Sequence, residues 1–279
     1  MRFASVLVVG AGQMGGGIAQ VVAASGRRVT LVDAVPGAVD RSLERIRASL
    51  EKLAAKGAPH DPDEVLGRIE QSDEPVPAEL MIEAIVEDVA AKEELFRRAD
   101  RILPAEAVLA SNTSSIPITR LGAATGRPDR VVGMHFFNPV PLMSLVEVIR
   151  GLETSDETAA AITELARDLG KTPAEAGDFP GFVANRILMP LINEAAYALL
   201  EGVADADSID TIAKLGLNHP IGPLALADLI GLDTCVSIME VLRDGLGDPK
   251  YAPCPLLRQY VQAGRLGRKS GRGFYDYGS

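Results

Sequence analysis

Two clusters of polar residues in this chain each follow an apolar run and carry groups that can do chemistry. Ser111–Ser115 offers hydroxyls and an amide directly after residues 107–110, and His135 comes directly after residues 131–134. Both runs are typical of buried parallel strands, whose carboxyl ends meet where open α/β sheets bind ligands. Histidine titrates nearest neutral pH, so the pattern predicts that His135 transfers protons in a crevice that it shares with the hydroxyls.

The residues that could assist such a histidine can also be identified in the sequence. Glu147 lies in the apolar run 145–149, where a carboxylate is costly to bury without a partner, and His135 is the expected one. A different partner on the sheet face stays open for Glu147. Ser114 and Asn185 can each donate a hydrogen bond to a substrate oxygen, although Asn185 alone is more typical of a hydrogen-bonded residue at a helix start. A serine hydrolase is disfavoured because the Gly-x-Ser-x-Gly elbow is missing.

The beginning of the chain has the pattern of a dinucleotide-binding unit. A strand over residues 4–9 leads into a glycine turn and a helix. Gly10 permits the tight turn, Gly12 lets a pyrophosphate approach, and Gly15 lets the helix pack closely. Asp33 ends the next strand, where a carboxylate binds the adenine ribose and repels a 2′-phosphate. The unit predicts NAD(H) rather than NADP(H), with a helix cap as the alternative for Asp33.

Alternating strands and helices continue to about residue 180 and predict a Rossmann-type, doubly wound, mainly parallel sheet in an α/β domain, residues 1–181. Glu87 and Lys92 flank one strand-to-helix turn, which alone is more typical of a solvated charged turn. Beyond a Pro/Gly break, residues 182–279 are expected to form an all-α domain. Its helices are predicted at residues 182–201, 205–215, 222–243 and 255–263. They are apolar around much of their circumference, which favours a homodimer through this half.

A long helix over about residues 36–56 is unusually basic for this chain. It carries Arg41, Arg45, Arg47, Lys52 and Lys56 against two glutamates, whereas the whole protein has a formal charge of −10. The charge pattern fits a solvated face and a basic arm for a phosphate-bearing substrate equally well.

Composition excludes several classes of protein. A net charge of −10 argues against a nucleic-acid binder. No run approaches the roughly 18 apolar residues of a membrane span, and no targeting leader is evident. Cys235 and Cys254 have no metal-ligand spacing, so no metal is expected, and the thiols fit a reducing, cytoplasmic setting.

Several motifs together resemble the (S)-3-hydroxyacyl-CoA dehydrogenase family, in particular its short bacterial 3-hydroxybutyryl-CoA type. They extend from residue 6 to residue 277, and their order and spacing make them specific. The matching stretches are residues 9–15, 83–87, 111–115, 133–141, 145–149, 180–186, 222–223, 231–233 and 267–275.

The resemblance implies NAD-dependent interconversion of (S)-3-hydroxyacyl-CoA and 3-oxoacyl-CoA by a homodimer formed through the helical half. It implies a catalytic set of His135, Glu147, Ser114 and Asn185, of which Ser114 and Asn185 also bind substrate. Ser49 and Lys56 fall where the family contacts coenzyme A, which favours the substrate-arm interpretation. Cofactor contacts are implied for Gly10, Gly12, Gln13, Met14, Gly15, Asp33, Glu87, Lys92, Ser114, Asn138 and Lys269.

Two other functions are compatible with the same fold. A dehydrogenase of a non-CoA hydroxy acid would leave Ser49 and Lys56 without a ligand. A non-catalytic NADH sensor would bind the cofactor without turnover, and the presence of the whole catalytic set argues against it.

Overall fold

The computed structural model describes residues 2–278, which form two compact units. One unit ends at Phe179 and the other begins at Pro180, two residues before the predicted boundary. The elements of the first unit are β1 Ser5–Val9, α1 Gln13–Ala24, β2 Arg28–Val32, α2 Ala38–Ala54, α3 Pro62–Leu66, β3 Ile69–Ser72, β4 Leu80–Glu83, α4 Val89–Ile102, β5 Val108–Ser111, α5 Ile118–Ala123, β6 Val131–Phe136, β7 Leu145–Arg150, α6 Asp156–Asp168 and β8 Thr172–Gly177.

The first unit is built on one eight-stranded sheet with the order β3-β2-β1-β4-β5-β6-β7-β8. Strands β1 to β6 all run in the same direction. Strand β7 is antiparallel to β6, and β8 runs parallel to β7. The predicted mainly parallel sheet is therefore confirmed, with its last two strands reversed. Strand β3 was not predicted because its sequence, Ile-Glu-Gln-Ser, is polar and short.

The central strands are buried because helices cover them with apolar side chains. All residues of β4, β5 and β6 are buried. They share one core cluster with residues of α1, α2 and α6, including Ile18, Ile46 and Ile162. Burying one such side chain contributes about 1.5–3 kcal/mol, so this cluster holds the sheet edge that carries the polar residues.

The run Gly15-Gly16-Gly17 lets α1 approach its neighbours closely. An ideal Cβ on Gly15 would lie 1.7 Å from the carbonyl oxygen of Gly10. A Cβ on Gly16 would lie 2.4 Å from Ser42 Oγ on α2, and one on Gly17 would lie 2.9 Å from Val140 Cβ. The glycine run therefore fits α1 against its own turn, against the basic arm and against the segment after β6.

The second unit is helical, as predicted. Its helices are α7 Ala184–Leu200, α8 Ala206–Gly216, α9 Pro223–Ile230, α10 Leu232–Leu246 and α11 Pro255–Gln262. The single helix expected over residues 222–243 is wrong, because Gly231 takes φ +103° and separates α9 from α10. Met189, Leu232, Met239 and Leu257 belong to its core.

Two buried aspartates organise the second unit around the end of the chain. Asp210 accepts hydrogen bonds from the backbone of Leu224 at 2.9 Å and from the Tyr275 hydroxyl at 2.8 Å. Asp228 accepts from the backbone amides of Phe274 at 2.9 Å and Tyr275 at 3.0 Å. Carboxyl groups buried this deeply require such donors, so the carboxyl-terminal segment is part of the folded unit.

We expect Gly16→Ala to lower the free energy of unfolding by about 1–3 kcal/mol, because its methyl group overpacks against Ser42 Oγ. In a Ser42→Ala background the same change should raise stability by roughly 0.5–1 kcal/mol, because only helix propensity then changes. The Ser42 Cβ lies 3.8 Å from the added atom, which is an ordinary contact. Urea unfolding of the four proteins measures this reversal, and equal effects in both backgrounds would contradict it.

Candidate active site

The glycine turn after β1 has the shape required for an anionic ligand. Gly10 takes φ +106°, and a Cβ there would lie 2.4 Å from the carbonyl oxygen of Ala84. A Cβ on Gly12 would meet no atom within 4 Å, so the space beside it is open. Gly12 caps α1 and, as a glycine, offers no side chain to the first amides of the helix. The turn therefore presents helix amides and the positive end of a helix dipole to open space.

Asp33 lies at the end of β2 beside this turn. Its Oδ2 accepts a hydrogen bond from Ala11 N at 2.6 Å, and its Oδ1 accepts one from Val35 N at 2.8 Å. It lines a cleft of about 780 Å³ together with Gly10 and Gly12. The same cleft is lined by Asp73 and Glu74 after β3 and by Arg98 of α4, which the sequence reasoning missed.

His135 and Glu147 are direct partners in the antiparallel pairing of β6 and β7. His135 Nδ1 lies 2.8 Å from Glu147 Oε2, and the two residues are 8% and 3% exposed. The predicted contact is present. A carboxylate facing Nδ1 favours the tautomer with the proton on that nitrogen, so Nε2 carries the lone pair that can accept a proton.

The hydroxyl cluster after β5 converges on Glu87. Glu87 Oε1 accepts hydrogen bonds from Thr113 Oγ1 at 2.5 Å, from Ser114 N at 3.0 Å and from Ser115 Oγ at 2.9 Å. Ser114 Oγ also lies 3.3 Å from this oxygen. Asn112 Oδ1 accepts the amide hydrogen of Phe136 at 2.8 Å, which ties the ends of β5 and β6 together.

Lys92 is buried between two carboxylates. Its side chain is 1% exposed, and Nζ lies 2.6 Å from Glu83 Oε1 and 3.0 Å from Glu87 Oε2. The interpretation of this turn as a solvated charged turn is therefore wrong for Lys92, whereas Glu87 is partly exposed. Burial alone would raise the pKa of Glu87, but the Lys92 ammonium and hydrogen bonds led by Thr113 outweigh it, so this pKa lies below its usual value.

Glu83 is the site residue that the sequence reasoning passed over. It is fully buried at the end of β4, and its Oε2 accepts a hydrogen bond from Ser111 Oγ at 2.5 Å. Glu83 could have been found by the argument that identified Glu147, because both are charged residues in otherwise apolar strands. The structure places Glu83 as the buried partner that Lys92 requires.

The segment between β6 and β7 connects the glycine turn with the basic arm. Gln13 Nε2 donates to Asn138 Oδ1 at 3.0 Å. Both residues line a cavity of about 210 Å³ together with Arg45 and Ser49 of α2. Lys171 holds this segment by donating from Nζ to the carbonyl oxygens of Val140 at 2.6 Å and Met143 at 2.8 Å.

The remaining predicted residues are found at the following positions in the fold. Met14 packs against the core, and Lys56 is exposed just beyond the end of α2. In the second unit, Asn185 lies in the first turn of α7, and Lys269 Nζ pairs with Asp233 at 2.6 Å. Within residues 2–278, no group of three or more metal-ligating side chains is present. Over the same range, no helix has the length and apolar character to cross a bilayer.

Family models match both units. The NAD binding domain of 3-hydroxyacyl-CoA dehydrogenase matches residues 5–179, and the C-terminal domain of the same family matches residues 181–277. The chain belongs to the 3-hydroxyacyl-CoA dehydrogenase family.

Members of this family resemble the chain over its whole length. A probable 3-hydroxybutyryl-CoA dehydrogenase of Bacillus subtilis is 57% identical, covering 99% of this chain and 98% of its own. A 3-hydroxybutyryl-CoA dehydrogenase of Bradyrhizobium diazoefficiens is 51% identical, covering 97% and 94%. The crystal structure of (S)-3-hydroxybutyryl-CoA dehydrogenase from Ralstonia eutropha is 48% identical, has a TM-score of 0.94, and covers 99% of this chain and 100% of its own.

In this family context, the geometry separates two kinds of group. The His135–Glu147 pair can exchange a proton and stabilise the resulting imidazolium. The Glu83–Lys92–Glu87 contacts are internal ion pairs that orient the Ser111–Ser115 segment. The sequence predicted the His135–Glu147 pair, whereas the ion pairs of Lys92 with Glu83 and Glu87 became evident only in the structure.

Proposed function

We propose that this chain catalyses the NAD-dependent, reversible oxidation of (S)-3-hydroxyacyl-CoA, with 3-hydroxybutyryl-CoA as the favoured substrate, to 3-oxoacyl-CoA. The observation that carries the proposal is the buried His135–Glu147 pair at the end of β6, in a domain that matches the family's NAD binding model. Relatives named as 3-hydroxybutyryl-CoA dehydrogenases support the choice of substrate.

The residues around the glycine turn fit NAD. Gly10, Gly12 and Gly15, with the amides of Gln13 and Met14, would hold the pyrophosphate beside the open end of α1. The Asp33 carboxylate at the end of β2 would bind the adenine ribose and disfavour a 2′-phosphate. On the other side of the turn, we assign Glu87, Lys92, Ser114 and Asn138 to the nicotinamide half. Lys269 is a further assigned contact from the carboxyl-terminal segment.

His135 performs the proton transfer of the proposed reaction. Its Nε2 accepts the proton of the substrate hydroxyl during oxidation and returns it during reduction. Glu147 keeps the proton on Nδ1 and stabilises the imidazolium that forms. Ser114 and Asn185 donate hydrogen bonds to substrate oxygens. When bound, NAD supplies the acceptor for the hydride that leaves the carbinol carbon.

The basic arm is the proposed contact for coenzyme A. Ser49 lines the 210 Å³ cavity beside Asn138, and Lys56 is exposed just beyond α2. In a dehydrogenase of a hydroxy acid without coenzyme A, Ser49 and Lys56 would have no ligand to bind. A sensor that only binds NADH would have no use for a buried histidine–carboxylate pair. Both alternatives therefore explain less of the molecule.

We propose a homodimer formed through the second unit. Its surface carries large apolar side chains, among them Val203, Ile212, Leu215 and Leu217, each more than half exposed. Apolar side chains that cluster on the surface of a helical unit are typical of a subunit interface. We also propose a cytoplasmic location, which agrees with the two buried, free cysteines.

We expect His135→Gln to lower kcat by at least 10²-fold while leaving the affinity for NADH within about twofold, because only proton transfer is removed. Steady-state reduction of acetoacetyl-CoA and fluorescence titration of NADH measure the two quantities. His60→Gln, at an exposed histidine, is the matched control and should retain full activity. Near-normal turnover by His135→Gln would refute the assignment.

We expect Lys56→Glu to raise the KM for acetoacetyl-CoA about 3- to 10-fold, because a phosphate contact of about 1 kcal/mol is replaced by repulsion. The KM for acetoacetyl-pantetheine, a thioester without the nucleotide phosphates, should stay unchanged. Arg101 lies in the last turn of α4, at the end of this helix that is distant from the carboxyl ends of the strands. Arg101→Glu makes the same charge change there and should change neither KM. An equal rise in KM for both thioesters would mean that the basic arm does not bind the nucleotide phosphates and is only a solvated helix face.

We expect Leu215→Glu, and Ile212→Glu beside it on α8, to convert the dimer into monomers, because a charge at an apolar interface is costly to bury. Light scattering during size-exclusion chromatography gives the mass of the particle. Leu152→Glu is the control, since Leu152 is 80% exposed in the first unit and Leu215 is 82% exposed in the second. If the wild type is already monomeric, the dimer proposal is wrong.

A further inference from the structure

The three ionised side chains at the end of β4 do not balance in charge. The cluster, defined as Glu83, Lys92 and Glu87, contains two carboxylates and one ammonium. Glu83 and Lys92 are buried and neutralise each other at 2.6 Å. Glu87 therefore contributes a surplus negative charge, and its side chain is 37% exposed. Its low pKa keeps that charge in place at neutral pH.

No described cation other than Lys92 forms an ion pair with this cluster. The remaining contacts of Glu87 come from neutral hydroxyls and amides of residues 113–115. Hydrogen bonds from neutral donors stabilise a carboxylate without cancelling its charge. Farther along the sheet, the Glu147 carboxylate of β7 faces His135 of β6, which is neutral in the state that accepts a proton. This side of the site consequently has a negative potential.

The sheet topology puts the cluster on a defined side of the dinucleotide crevice. The strand order reverses between β1 and β4, and a dinucleotide crosses such a sheet at this switch point. Asp33, at the end of β2, marks the adenosine side. Glu83 ends β4 and Ser111 ends β5, so the cluster lies on the nicotinamide side. This step rests on the proposed function, which assigns that crevice to NAD.

We propose that the surplus charge of Glu87 sets the preference of the protein for the oxidised over the reduced cofactor. The nicotinamide ring carries a positive charge in NAD⁺ and none in NADH. A fixed negative charge nearby stabilises the oxidised form alone, and incomplete exposure to solvent strengthens the effect. The charge of Glu87 thus changes the affinity for NAD⁺ relative to the affinity for NADH. Its hydrogen bonds to residues 113–115 affect both affinities equally.

This preference has a thermodynamic consequence for the bound reactants. Any ligand that distinguishes two states shifts the equilibrium between them by the ratio of its affinities. Tighter binding of the positively charged ring relative to the neutral ring offsets part of the preference that apolar pockets have for neutral rings. The charge of Glu87 then shifts the equilibrium on the protein towards the side that carries NAD⁺, which is the hydroxyacyl thioester.

The test compares Glu87→Gln with Asp88→Asn. Both remove one negative charge and keep the shape of the side chain, but Asp88 is the exposed cap of α4 and its carboxylate bonds to the amide of Ala91 at 2.8 Å. Dissociation constants for NAD⁺ and NADH are measured by calorimetry without acyl substrate. We expect the ratio Kd(NAD⁺)/Kd(NADH) to rise about 3- to 10-fold in Glu87→Gln, and to stay within about twofold in Asp88→Asn.

Each outcome decides between charge and packing. An equal loss of affinity for both forms of the cofactor would mean that Glu87 only holds the 113–115 segment, and the inference would be overturned. Thr113→Val removes a hydrogen bond but no charge and should leave the ratio unchanged. Glu87→Ala provides the same charge change if the glutamine variant does not fold. If the wild type binds neither form, the proposed function fails, and an unchanged ratio with normal binding defeats this inference alone.

Discussion

Burial of glutamate side chains inside the sheet is the constraint from which the site follows. Glu83 and Glu147 both lie in apolar strands, where an unpaired carboxylate would cost several kcal/mol. Each is stabilised by one basic partner, Lys92 or His135, and each partner is thereby held at the end of the parallel strands. The geometry that makes these strands stable also orients the imidazole and the Ser111–Ser115 segment.

The two pairs differ in the chemistry available to them. Lys92 is enclosed by Glu83 and Glu87, so the Glu83–Lys92 pair is a structural connection. Histidine can lose and gain its proton near neutral pH, so the His135–Glu147 pair can change state during a reaction. The register of β6 and β7 is what matters here, because it sets His135 and Glu147 directly opposite each other.

Sequence reasoning reached most of the first unit because parallel strands are continuous apolar runs and the glycine turn has fixed spacing. It missed β3, whose residues are polar because only one side of that strand is paired. It joined α9 and α10 because the apolar pattern continues across Gly231, and only the backbone conformation shows the break. It treated Lys92 as solvated because burial depends on Glu83 and Glu87, which come together only in the folded chain. The His135–Glu147 contact could be predicted because Glu147 lies in an apolar strand, where its carboxylate needs a partner, and His135 is at the end of the preceding strand.

The anchoring of the carboxyl-terminal segment on Asp228 affects the order in which the protein can be made. A ribosome releases α9, with its buried aspartate, well before Phe274 and Tyr275, whose amides satisfy that carboxylate. The sheet unit has all its strands by residue 177 and can begin to fold during synthesis. The helical unit must wait for Phe274 and Tyr275, so its apolar helices stay open until these two residues have left the ribosome. This interval is when a nascent chain is most exposed to aggregation and most dependent on chaperones.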